Sequence, residues 1–308
     1  MKSLKIFFSI STLLVLFSAC QETPPLINYK PSNSVLDTTF ITTSIPAAET
    51  KNILIEDFTG VGCVNCPRAH ETLKALKSSY SGRVFSIANH PLNATLKTLV
   101  EPIFKPPFVS KRDFRTKDAD DLLTYLGSSN SLPTGSINRK LFNGETKWLV
   151  SDLSWSGYAN TELAQTSSAV NIDTLSIKYD VSSNELTIDL RLVFTQSMPD
   201  SQYLLTVAIL ENKIIDIQEK NENGSTIYIE DYQHDNVLRK VITGVYGDLL
   251  KAKYEPGRVF RKRFIYKPTS DELKNWNWNT DNLAVIAFVH GNATKKDVIQ
   301  VKATYIKP

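Results

Sequence analysis

The chain has 308 residues, 35 basic and 32 acidic side chains, and a formal net charge of +3. Its basic residues are not gathered into a patch, so it carries no electrostatic footprint for nucleic acid. No segment beyond the first twenty residues is apolar enough to cross a bilayer as a helix. With only three cysteines, Cys20, Cys63 and Cys66, the position of each is informative.

The first nineteen residues read as a secretory leader: Lys2 and Lys5, an apolar core from Ile6 to Phe17, then the small residues Ser18 and Ala19 before Cys20. The stretch is too short to span a membrane unaided. It resembles a bacterial lipoprotein signal, which implies that Cys20 is lipidated and becomes the membrane-anchored first residue of the mature chain, with Phe17 standing where Leu is usual. Loss of the leader removes two lysines and leaves room for two domains of ordinary size. Residues 20–50, with Pro24, Pro25 and Pro31 among many Ser, Thr and Asn, read as an extended tether. Within it Ser34 to Thr42 can form an edge strand.

From residue 51 to about 167 the pattern alternates strand and helix, as in an α/β domain. Ile53–Phe58 reads as a buried strand, and Leu73, Leu76 and Tyr80 recur at helical spacing after the cysteines. Val84 to Ala88 reads as a second strand. An excursion from Leu92 to Gly127 follows, with helices expected near Ala94 to Ile103 and over Asp118 to Leu126, where Asp118, Asp120 and Asp121 suit a helix start. A helix over Ser151 to Ala164 closes the unit. Residues 168–308 change texture. Seven short β-rich runs, punctuated by Asn, Asp, Gly and Pro, predict an antiparallel sandwich. One run, Asn236 to Ile242, reads as a helical connection. The expected fold is therefore α/β plus all-β.

The chemistry lies at Cys63-Val64-Asn65-Cys66, which follows the first strand and opens the first helix. A helix start favours the thiolate, the attacking species, so Cys63 is the candidate nucleophile, expected to be ionised and reachable from outside. Cys66, one turn on, is the candidate resolving thiol, and Pro67 suits the first turn. As a plain cross-link the pair would close too small a loop to remove much chain entropy. The chemical rival is a metal site built from Cys63, Cys66 and His70, but no fourth ligand is evident for structural zinc. Pro67 excludes the C-x-x-C-H attachment of haem. No cofactor is expected. His90, His234 and His290 read as structural, and Trp276 and Trp278 as a loop anchored on the sandwich, with a binding platform as the alternative.

The spacing from Asp57 to Cys63 and the Leu132-Pro133-Thr134 run resemble the thioredoxin superfamily. The resemblance implies that Asp57 moves the proton of Cys66 and that Pro133 is a cis-proline lying against the dithiol. The chain departs from that family in Gly62, where tryptophan is usual before the first cysteine, and in the longer segment between dithiol and Pro133. Leu54 to Gly60, the CVNC run, Arg112-Asp113-Phe114-Arg115, Leu132 to Gly135, Asn138-Arg139 and His234 to Arg239 resemble the 28 kDa outer membrane protein family (Omp28-related) of Bacteroidetes. This implies a cell-envelope lipoprotein, facing the periplasm or the surface, with a thioredoxin-like domain. Thiol–disulfide exchange on extracytoplasmic partner proteins is the expected function, with a pair mild to reducing in character because Val64 and Asn65 give the thiolate no added support. The rival is a surface adhesin or receptor that uses the scaffold without redox chemistry.

Overall fold

The computed structural model describes residues 34–199, 202–272 and 278–306. The expected leader, Cys20, the first part of the tether and Trp276 lie outside the described residues.

The tether's edge strand is present as β1 (Ser34–Ile41). The first α/β unit is β2 (Ile53–Phe58), α1 (Cys66–Ser79) and β3 (Val84–Asn89). All six residues of β2 are buried. α1 carries Pro67 in its first turn and buries Ala69, Leu73 and Leu76 at helical spacing. Because α1 links them by a crossover, β2 and β3 pair in parallel. The excursion holds a 3₁₀ turn, the one-turn α2 (Lys97–Val100), a small hairpin of β4 (Phe104–Lys105) and β5 (Phe108–Val109), and α3 (Lys117–Tyr125). The side chain of Thr116 accepts from the Ala119 N–H and caps α3, and Asp118 and Asp120 stand in its first turn, where the dipole favours them. β6 (Thr134–Ile137) pairs antiparallel with β2, β7 (Val150–Ser151) pairs with β6, and α4 (Trp155–Leu163) follows.

The remaining strands are β8 (Val170–Asp180), β9 (Glu185–Phe194), β10 (Leu204–Glu211), β11 (Ile214–Glu222), β12 (Ser225–His234), β13 (Val237–Val241), β14 (Asp248–Leu249), β15 (Arg258–Tyr266), β16 (Leu283–His290) and β17 (Val298–Tyr305). The fold is thus mixed α/β, mostly sheet. β1, β15, β9 and β8 form one four-stranded sheet in that order. Among the described residues the largest sheet has nine strands, ordered β17-β16-β10-β13-β3-β2-β6-β7 with β14 beside β10. This sheet crosses the boundary expected at residue 168. The outer edge of β3 is taken by β13 from the second half, so residues Pro31–Pro308 form one unit.

β13 also corrects the expectation of a helix over Asn236 to Ile242. Five residues in which Val237, Leu238 and Val241 flank Arg239 and Lys240 have no decisive period. Here β10 on one side and β3 on the other supply the hydrogen-bonding partners. β10 and β16 are buried along their whole length because alternate residues face two cores. Val207, Ile209, Val285 and Ala287 pack with Ile188, Leu190 and Phe260 of the four-stranded sheet. Ala208, Leu210, Ile286 and Phe288 pack with Leu54, Phe58, Cys63 and Cys66.

Candidate active site at the disulfide loop

Cys63 and Cys66 are joined in a disulfide, with Cα atoms 5.4 Å apart. Cys66 opens α1 and Cys63 ends the turn from Thr59 that leaves β2. This turn lies against α2. A Cβ on Gly60 would stand 2.1 Å from the Leu99 carbonyl oxygen, and one on Gly62 would stand 2.6 Å from that of Thr98. The Gly62 N–H donates to Leu99 O at 2.9 Å. The residue lacking the tryptophan of the thioredoxin pattern is therefore the one over which the longer excursion folds.

The expectation of a reachable leading sulfur is not met in this arrangement: Cys63 is 2% exposed and Cys66 is 0% exposed. The cause is the hairpin of β11 and β12, which lies over the loop. The Glu219 N–H donates to Val61 O and the Asn221 N–H to Val64 O, both at 2.8 Å. Between them the buried Gln218 amide donates to the carbonyls of Gly60 and Val61 at 3.1 Å and of Cys63 at 3.3 Å. The hairpin is braced in turn by β4 and β5. Phe108 stacks on Tyr228 with centroids 4.2 Å apart, and Lys105 reaches Glu219 at 2.8 Å. A cleft of about 340 Å³ remains beside the loop, lined by Val64, Asn65, Pro67, Arg68, Lys220 and Asn221.

Strand alternation decides which β2 carboxylate lies beneath α1. Ile53 and Ile55 pack with Ala69, Leu73 and Leu76 of α1, and Asp57, two residues on, faces the same side. Glu56 faces the other way and pairs with Arg139. Asp57 is 1% exposed, and neither carboxylate oxygen has a well-directed hydrogen bond from the protein. His70 Nε2 stands 3.3 Å from Asp57 Oδ2. Burial pushes the carboxyl above its ordinary range, and His70 pulls it back only in part.

His70 is the polar side chain of this site that sequence reasoning undervalued. Its Nε2 also lies 3.1 Å from the Thr59 hydroxyl, and its Nδ1 lies 2.6 Å from the Tyr232 hydroxyl of β12. These groups share a pocket of about 300 Å³ with His90 and His234. Burial lowers His90 well below the usual histidine value and His234 to about 3, so both are neutral. Of the rival metal set, Cys63 and Cys66 are tied up in the disulfide and His70 turns toward Asp57.

The Leu132–Pro133 peptide is cis. β6 begins at Thr134, which pairs with Phe58 at the end of β2, so Pro133 stands at the same end of the sheet as the disulfide turn. Leu132 shares a buried cluster with both cysteines. Other residues of the resemblance serve the frame. Arg139 pairs with Glu56 and Arg239 with Glu211, all buried, and Phe114 packs against His90 and His234. Trp278 packs with the core under the four-stranded sheet, beside Tyr266.

The model of the Omp28 family, described as outer membrane protein Omp28, matches residues 120–308. No curated protein matches the chain. Among solved structures, HBP35 of Porphyromonas gingivalis shares the fold, with a TM-score of 0.62, 19% identity, and cover of 85% of this chain and 78% of that one. A protein of Agrobacterium tumefaciens aligns with a TM-score of 0.46 and 14% identity, over 85% of this chain and 97% of its own. A domain of the outer membrane lipoprotein Omp28 of Porphyromonas gingivalis aligns with a TM-score of 0.29 and 15% identity, over 46% of this chain and 90% of its own.

Proposed function

The chain belongs to the Omp28 family of outer membrane proteins and is a protein of the cell envelope, and on that premise we propose that its first half is a thioredoxin-like module whose Cys63–Cys66 pair exchanges disulfides with extracytoplasmic proteins. The observation that carries this reading is the placement of the disulfide at the start of α1, inside a parallel β-α-β unit, with a buried carboxyl under the same helix that His70 approaches at 3.3 Å. A disulfide spanning four residues adds little stability as a cross-link, and the envelope is where such a bond finds partners. Cys20, as a lipid-bearing first residue, would hold the protein at the membrane.

In the oxidised state the exchange runs as follows. A partner thiolate attacks the Cys63 sulfur, the Cys63–Cys66 bond breaks, and Cys66 leaves as a thiolate that takes a proton. A second partner thiolate then displaces Cys63. The partner ends with one new disulfide, having given two electrons to the Cys63–Cys66 pair. Each step needs the sulfur of Cys63 in line with an incoming thiolate, so the β11–β12 hairpin has to lift from the Val61 and Val64 carbonyls.

The closed hairpin favours a second reading, in which the disulfide is inert and the module is an adhesin or receptor scaffold. Trapping separates the two. A Cys66→Ser variant of the full chain, expressed in its native envelope, is expected to accumulate mixed disulfides through Cys63 that are lost in Cys63→Ser. Absence of reducible adducts, with unchanged surface binding in both variants, would support the scaffold instead.

A further inference from the structure

We propose that His70 is a positioning residue for the exchange chemistry, the group through which Asp57 trades its proton with the outside by way of Tyr232. The inference rests on the exchange reading above and assigns a role to a pocket that reading leaves unused.

Asp57 is sealed beneath α1, and His70 Nε2 stands 3.3 Å from its Oδ2. His70 is itself 21% exposed, so the ring spans the distance from the sealed carboxyl to the pocket mouth. Two contacts fix it there, the Thr59 hydroxyl at 3.1 Å on Nε2 and the Tyr232 hydroxyl at 2.6 Å on Nδ1. His70 lies four residues after Cys66 on α1, so the two share a helix face. His70 thus stands one helical turn from Cys66, with the Asp57 carboxyl 3.3 Å from its Nε2.

The other titratable groups facing this pocket are Glu71, Lys74 and Lys77 on α1, His90 after β3, and His234 and Asp235 at the end of β12. His90 and His234 are held neutral by burial and do not compete for the proton. Burial lowers Lys77 and raises Tyr232, so the phenol keeps its proton and passes charge only as a hydroxyl. Asp152, which also acts on Asp57, is engaged by Arg68 at 2.9 Å.

The step balances without a further reagent. When Cys66 attacks the Cys63–partner disulfide, a Cys66–Cys63 bond forms and the Cys63–partner bond breaks. The partner sulfur leaves with the electron pair and is reduced as the protein dithiol is oxidised. The thiol proton of Cys66 goes to Asp57, then to Nε2 of His70, while the Nδ1 proton moves to Tyr232 and out to solvent. In the reverse direction the same path returns a proton to the Cys66 thiolate.

The test is the rate of disulfide reduction by dithiothreitol across pH 5 to 9, first order in reductant, on the folded full chain. Wild type, His70→Ala and Tyr232→Phe are compared, each with and without added imidazole. The expected result is a loss of about a hundredfold near neutrality in His70→Ala, removal of the inflection that dithiothreitol ionisation does not explain, and recovery with imidazole. Tyr232→Phe, which keeps the ring, is expected to lose less with the same change in profile. A His70→Ala profile that keeps the wild-type inflection, or a rate loss that imidazole leaves unchanged, overturns the role of His70 while exchange stands. A wild-type disulfide that resists reduction in the folded state removes the exchange reading and this inference with it.

Discussion

Arg139→Ala is expected to cost ~3–5 kcal/mol of folding stability, the usual loss when one partner of a buried ion pair is removed. Arg139 and Glu56 are both 0% exposed and meet through two hydrogen bonds, at 2.9 Å and 2.7 Å. Among the described residues the Glu56 carboxylate has one other side-chain donor, the Ser136 hydroxyl at 3.2 Å, so removal of the guanidinium strands a charge in the core. The ring of Phe288, 4.8 Å below the guanidinium, also loses its cation. Because Glu56 is on β2 and Arg139 follows β6, the pair ties together the two strands that present the disulfide turn and Pro133. Urea unfolding measures the loss. A double change, Glu56→Leu with Arg139→Met, is expected to recover most of it, since replacing both partners with apolar groups of similar volume leaves no charge unpaired. A loss under about 1 kcal/mol in Arg139→Ala alone would mean that water reaches Glu56 and the pair is not sealed.

Acid should destabilise the protein well before carboxylate protonation takes over. His90, His234 and His290 are neutral in the fold, each lowered first by burial, with His234 at about 3. His290 is fully satisfied in that form: the Thr206 hydroxyl donates to Nε2 at 2.8 Å and Nδ1 donates to Gly291 O at 2.8 Å. Once unfolded, each histidine takes a proton near pH 6.5. Below that value the unfolded state binds more protons than the fold, so stability falls with falling pH until the lowered folded value is reached. Each histidine contributes a slope of ~1.4 kcal/mol per pH unit in that window. Asp57 acts in the opposite sense. Its folded value is raised, so the fold holds a proton that the unfolded chain releases, and its contribution is lost as pH rises from about 4 through the raised value. Thermal unfolding from pH 7 to pH 4 should therefore show a steep decline, and His234→Gln should flatten it by one proton. A melting temperature independent of pH over this range would show that the histidines are not buried neutral.

Much of the frame is legible in the chain because short-range patterns carry it. The order strand, glycine turn, cysteine pair and helix is local, and Pro67, Ala69, Leu73 and Leu76 fix α1 by composition and period. Alternation along Ile53–Phe58 already places Asp57 and Glu56 on opposite faces. What could not be read depends on distant partners. β13 is a strand because β3 and β10 wait on its two sides, and nothing within Asn236 to Ile242 declares that. Gln218 and Tyr232 lie more than 150 residues from the groups they touch, so their contacts with Cys63 and His70 have no local signature. Gly62 did carry a signal: an unexpected glycine beside the first cysteine marks a close backbone approach, here that of Thr98. The spacing of Asn221-Glu222-Asn223-Gly224 announces a turn, and the hairpin that covers the disulfide is built on it.

That hairpin joins fold to function. Its grip on the loop is two main-chain hydrogen bonds, the Gln218 amide and the packing of Val61 with Ile214 and Ile217; each hydrogen bond is a modest net contribution of about 1 kcal/mol, and exchange requires local opening without global unfolding. The most direct measurement is a glutathione redox titration of the folded full chain, with Cys63 and Cys66 trapped by acid-quenched alkylation and the fold followed by circular dichroism. The account predicts a reversible two-electron transition in which both cysteines become alkylated while the circular dichroism signal is unchanged. Alkylation that appears only together with loss of that signal would contradict it, and would make the disulfide a sealed part of the frame.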